Sequence, residues 1–152
     1  MGSEDIPYRR ASFSTRLRVD RLYTAGHYWL RNEADDLWRV GFTRFAIRML
    51  GEAVEMGFEV AADAAVESGQ VVGWIEGFKA VSDLYAPMAG RFAGGNPELE
   101  KDMSLFKSDP YERGWLFALR GTPGAGCVDP PGYVAVLDAT IDKMLGQRHD
   151  GK

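Results

Sequence analysis

Residues 74–90 read WIEGFKAVSDLYAPMAG, two apolar runs on either side of a lysine, Lys79, that falls where the chain should reverse direction. Residues 71–77 (VVGWIEG) and 84–94 (LYAPMAGRFAG) have the apolar and aromatic content of strands, and FKAVSD joins them, which puts Lys79 at the end of a sheet. Pro87 cannot donate to a ladder and restricts the second run to an edge or a bulge. The chain has thirteen arginines and five lysines, and no lysine precedes position 79. A lysine amine can lose its proton and form an amide, whereas a guanidinium stays charged. Lys79 is therefore either a solvated turn residue or an attachment point. Glu76, three residues before it, and Asp83, four after, frame it with negative charge that keeps the ammonium soluble and marks the turn for a modifying ligase.

Outward from this turn the chain is mainly β. HYWLRNE (27–33) alternates partly, Ala34-Asp35-Asp36 is turn-like, and LWRVGFT (37–43) is the return strand. RFAIRMLGEAV (44–54) suits a short helix closed by Gly51. Residues 52–69 hold five acidic side chains and no basic one, and Val54, Met56, Phe58 and Val60 recur at period two, so a strand is expected. PELEKDMSLF (97–106) reads as helical and GWLFALR (114–120) as the last strand. Residues 1–22, carrying Arg9, Arg10, Arg16, Arg18 and Arg21, are expected to form a solvated arm. Residues 23–120 form the β domain and 121–132 a Gly/Pro linker. Residues 133–146 form a helix that Asp129 can cap and Gly146 ends; Val134, Leu137, Ile141, Met144 and Leu145 fall on one face, which is expected to dock on the body.

At 152 residues, 45% of them hydrophobic, the chain suits one domain with a proper core. A net charge of −4 argues against nucleic acid as a partner. No apolar run approaches the ~20 residues that span a bilayer, so no membrane partner is expected. The N-terminus lacks the hydrophobic core of a secretory signal, and a cytoplasmic location is the default. Cys127 is the only cysteine, which excludes an internal disulfide and a cysteine-based zinc site; it is expected to be a spectator thiol.

The stretch around Lys79 resembles the lipoyl-lysine hairpin of the H protein of the glycine cleavage system. Glu76, Ala80, Ser82 and Asp83 match residues that recur around the modified lysine in that family, and the likeness continues through Pro87 and Gly90. DPYERGWL (109–116), YTAGHYWLR (23–31) and VGFTRFAIRMLGE (40–52) are similar to three further family segments, in the same order. A biotinyl turn would place methionine on both sides of the lysine, where this chain has Phe78 and Ala80. The resemblance implies a barrel-sandwich hybrid in which Lys79 carries lipoic acid in amide linkage. It further implies attachment by a lipoate–protein ligase that recognises Glu76, Ala80 and Asp83, and an arm cleft near Phe78, His27 and Trp29. Such a protein is a carrier without catalytic residues of its own; the sulfur chemistry belongs to the cofactor.

Several departures from the family pattern bear on partner choice. The turn after the short helix lacks its usual proline, Gly77-Phe78 precedes the lysine, an arginine-rich segment comes first and a linker with a helix comes last. These departures imply the H-like lipoate-binding proteins of sulfur-oxidising prokaryotes, which serve a heterodisulfide-reductase-like complex. The alternative is the H protein of glycine cleavage, shuttling an aminomethyl group between glycine decarboxylase and aminomethyltransferase.

Overall fold

The computed structural model describes residues 5–150. The chain opens with β1 (Asp5–Arg10) and β2 (Phe13–Arg18), an antiparallel hairpin in which Ile6 faces Leu17 and Arg10 faces Phe13. The expected solvated arm is thus a folded element. Its apolar residues alternate with its arginines, so one face buries Tyr8, Phe13 and Leu17 while Arg9 and Arg16 stay outside.

β3 (Leu22–Tyr23), β4 (Tyr28–Ala34) and β5 (Leu37–Phe42) follow, then α1 (Arg44–Leu50). The acidic stretch forms β6 (Ala53–Phe58) and then leaves the ladder until β7 (Ala65–Val66), so the expected long strand stops at Phe58, whose ring packs on Phe92 and Phe117. β8 (Val71–Gly77) and β9 (Val81–Tyr85) flank Lys79. The run 84–94 is two elements: Pro87 falls in a break, and β10 (Gly90–Gly95) begins after it. α2 (Pro97–Lys101), α3 (Leu105–Ser108), β11 (Phe117–Arg120) and α4 (Pro130–Asp150) complete the chain.

β3-β4-β5-β11-β10-β7 form one six-stranded sheet and β6-β8-β9 a second, three-stranded one. The main core, including Leu30, Val40, Val72, Ile75, Leu84 and Phe117, lies between them. A second cluster joins the N-terminal hairpin, Trp29, Phe45 and Tyr111 to Tyr133, Leu137 and Ile141 of α4. The apolar face of α4 therefore docks on the body through Leu137 and Ile141, with Val134 and Leu145 beside them, while Met144 of the expected stripe stays exposed. The helix runs past Gly146, because a glycine in an exposed helix interior costs only about 1 kcal/mol. Asp129 accepts from the Gly132 amide at 2.9 Å at its start. The linker is tied down as well: Tyr23 and Val128 exchange two backbone hydrogen bonds of 2.7 Å.

Candidate functional site

The turn that carries Lys79 rests on the end of α1. Thr43 caps that helix from the front, its hydroxyl accepting from the Ala46 amide. Gly51 ends it at φ 82°, a conformation that suits a residue without Cβ, with its N–H bonded to the Ile47 carbonyl at 2.8 Å. The turn takes a carbonyl freed at the helix end, Lys79 N–H donating to Leu50 O at 3.0 Å, and Phe78 N–H donates to Glu52 O, just past the cap, at 3.1 Å. Gly77 N–H donates to Ala80 O at 2.8 Å and closes the hairpin. Gly77 is needed here, since a Cβ would stand 2.3 Å from Leu50 O.

The Lys79 side chain is exposed, and its Nζ donates to the Arg48 carbonyl at 2.8 Å. Among the described residues it has no ion pair. Glu76 and Asp83 stand exposed on the outer face of the β8–β9 hairpin, opposite Val81 and Trp74, while Nζ turns over α1; the carboxylates frame the turn without touching the amine. Ala80 is exposed, and Phe78 and Val81 project into solvent at 76% and 70% exposure. Met49 and Val54 add to this apolar collar. Such a concentration of large exposed apolar groups beside one amine is costly for an isolated surface and suits contact with another protein.

On one side of α1 a cleft of about 330 Å³ is lined by His27, Phe45, Met49, Leu50, Val81 and neighbouring residues. His27 both lines this cleft and is held by the fold. Its Nδ1 bonds the Tyr133 hydroxyl at 2.7 Å, its ring lies 4.7 Å from that of Phe45, and burial lowers its pKa to about 4, so it is neutral at pH 7. Tyr133 also bonds Thr43 Oγ1 at 2.8 Å, linking α4 to the cap of α1. Trp29 does not line the cleft, contrary to expectation. His27 lies just outside β4 with φ 67°, which breaks the strand alternation, and Trp29 turns into the second core, donating to Pro110 O at 3.0 Å. Across α1 a second depression contains Lys79 and Phe78 themselves.

Arg48, Met49, Leu50 and Tyr133 have no local sequence signal as site residues: Arg48 and Leu50 meet Lys79 through backbone carbonyls, Met49 lines the cleft with an exposed side chain, and Tyr133 reaches His27 from a distant helix. Cys127 is half-buried beside the Pro87 carbonyl, and burial raises its thiol pKa, which suits a bystander. Among the described residues no His, Cys, Asp and Glu cluster could hold a metal, and no helix is long and apolar enough to cross a membrane.

The sequence profile of the family described as glycine cleavage H-protein matches residues 21–124. The glycine cleavage system H protein of Mycolicibacterium smegmatis is 39% identical over 130 residues, covering 81% of this chain and 98% of its own. That of Mycobacterium tuberculosis strain H37Rv is 42% identical over 126 residues, covering 83% of this chain and 87% of its own. The crystal structure of an H protein from Mycobacterium marinum matches with a TM-score of 0.68 at 31% identity, over 78% of this chain and 97% of that one. The sheets are those of the barrel-sandwich hybrid. Relatives of this kind favour the glycine-cleavage alternative over the sulfur-oxidation reading, which none of these matches supports. With the profile spanning most of the β domain and these relatives covered almost end to end, the chain belongs to the glycine cleavage H-protein family.

Proposed function

We propose that this protein is the lipoyl carrier of a glycine cleavage system, bearing its cofactor on Lys79 and passing an aminomethyl group between glycine decarboxylase and aminomethyltransferase. Proteins of this family carry lipoate covalently attached to a lysine. The observation that carries the assignment to Lys79 is the amine itself: exposed, outside any ion pair among the described residues, and fixed at a turn whose backbone is clamped to α1. The residues fit the group. An amide at Nζ keeps one N–H that can still donate to the Arg48 carbonyl, and depressions of about 530 and 330 Å³ adjoin the turn.

The cofactor supplies a dithiol that takes up and releases a group by exchange at sulfur. The chain's own residues supply the rest. Gly77, Leu50 and Glu52 hold the turn rigid, so that a ligase meets one conformation. Glu76, Ala80 and Asp83 form the accessible edge such a ligase reads, and the Phe78, Val81 and Met49 collar gives the partner enzymes a desolvated contact around the arm's root. The protein itself acts as a carrier and not as a catalyst.

Intact mass tests the attachment. After incubation with lipoate, ATP and a lipoate–protein ligase, the parent should gain one lipoyl group and Lys79→Arg none. Gain by both proteins, or by neither, removes the assignment. Reconstitution with glycine decarboxylase and aminomethyltransferase tests the pathway: the lipoylated parent should support glycine turnover, and failure there with full lipoylation would reopen the sulfur reading.

A further inference from the structure

The outer face of the N-terminal hairpin carries charge that the fold does not use. In the β1–β2 register Arg9 stands opposite Ser14 and Arg16 opposite Pro7, so the two arginines are diagonal neighbours, about 7–8 Å apart. Both are exposed, and among the described residues neither is ion-paired. Arg18, on the same face, is already balanced, 3.8 Å from Asp5 and 3.7 Å from Glu112. Arg9, Arg16 and Arg44 line one depression of about 660 Å³, whose single carboxylate is that same Asp5. Arg44 is held there by a neutral partner, the Lys107 carbonyl at 2.9 Å. This depression shares Ser14 and Arg44 with the one that contains Lys79. A protein that closes over the Lys79 turn on this side therefore meets the hairpin as well. The family profile begins at residue 21, so the hairpin precedes the matched segment. Across the turn the sign reverses: Glu55 stands opposite Glu76 on the outer face of the small sheet, with Asp83 beside them, all three exposed and none ion-paired among the described residues. Lys79 thus sits between a basic field and an acidic one.

We propose that the outer face of the N-terminal hairpin is a docking surface for an acidic rim on an enzyme that takes up the Lys79 arm, with Arg9, Arg16 and Arg44 as the contacts. Opposite fields on the two sides of the turn favour one angle of approach, because a partner rotated about the lysine would set like charges against each other. The occupant is a protein and not a nucleic acid or an anionic membrane. A uniform polyanion laid over the turn meets repulsion from Glu55, Glu76 and Asp83, whereas a protein surface can carry both signs. Two neighbouring arginines without a counter-charge do nothing for the hairpin itself, since like charges on one face of a strand pair repel. The proposal rests on the reading of Lys79 as the lipoyl-bearing residue.

Charge reversal on the lipoylated full chain tests it. At low salt, Arg9→Glu/Arg16→Glu should raise the KM for the chain about five-fold with glycine decarboxylase or with aminomethyltransferase, while kcat changes less than about two-fold. The rise should fade in ~0.5 M NaCl, where exposed charges are screened, and Arg9→Lys/Arg16→Lys should keep the parent KM. Arg91→Glu/Lys101→Glu makes the same change in net charge at exposed residues outside both depressions, and it should leave KM unchanged. A thermal transition checks the fold of each variant; Arg9→Gln/Arg16→Gln, with a smaller rise of the same salt dependence, serves if the reversal is unstable. An unchanged KM with both enzymes, or an equal rise in the Arg91 and Lys101 variant, overturns the proposal. So does a different occupant: binding of duplex DNA or phosphatidylglycerol vesicles, or self-association in sedimentation, that the reversal abolishes while both KM values stand. Intact mass separates the two readings. A Lys79 that gains no lipoyl group overturns both, whereas a fully lipoylated chain whose KM ignores the reversal overturns only the docking surface.

Discussion

His27 shows how one side chain can serve a surface and a core together. Burial lowers its pKa from an ordinary 6.5 to about 4. The unfolded chain therefore takes up a proton that the folded chain refuses as pH falls through that window. The neutral ring's stabilising share is complete above pH 6.5, drains away towards pH 4, and is absent below. The full effect is on the order of 3 kcal/mol. His27→Asn keeps a residue tolerant of φ 67°, and it should lose about 2 kcal/mol less than the parent between pH 7 and pH 4.5, measured by urea denaturation at both values. Gly77 is the second decisive residue. Gly77→Ala places a methyl 2.3 Å from Leu50 O, and it should cost about 2 kcal/mol and slow lipoylation of Lys79 in a ligase time course. The lysine and its neighbours were legible because side-chain type and spacing carry that signal. The need for Gly77 was not, since it depends on a carbonyl from another element.

At the scale of elements, β8, the helix closed by Gly51 and the capped start of the C-terminal helix are local patterns that form where periodicity and capping residues put them, whereas the strand after Lys79 is Val81–Tyr85, beginning inside the expected connection, and α4 passes its expected end at Gly146. The N-terminal hairpin is the instructive exception. Its arginines suggest a solvated arm, but Tyr8, Phe13 and Leu17 share one face only if the two strands pair, and pairing is decided by the second core that receives them. α4 ties this region to the cleft through Tyr133. Tyr133→Phe keeps the ring stacked 4.7 Å from Tyr23 and removes only the hydroxyl that bonds His27 and Thr43. The expected loss is about 1–2 kcal/mol by chemical denaturation, with the His27 ring resonances shifting in the same variant.

Across the whole molecule, Arg21 fastens the strand edge to the DPYERGWL segment. Its side chain is fully buried, lies 5.0 Å over the Trp29 ring, donates to Tyr111 O at 2.6 Å and Glu112 at 3.1 Å, and pairs with Asp20. Arg21→Ala should cost about 3 kcal/mol and lower the thermal midpoint, because it leaves a cavity and strands the buried Tyr111 carbonyl. Acylation of Lys79, by contrast, removes one exposed charge, taking the net charge from −4 to −5, so the lipoylated protein should run faster on a native gel at pH 8 with an unchanged thermal midpoint. By itself the sequence determined the mainly β character, the family and the lysine at its turn, because these rest on residue types at short spacings. Only the tertiary structure decided that the turn is clamped by the end of α1, that His27 faces a cleft while Trp29 does not, and that Phe13 and Ser14 of the N-terminal hairpin line the depression beside Lys79. Each of those facts joins groups far apart in the chain, and only burial of the two cores brings them together.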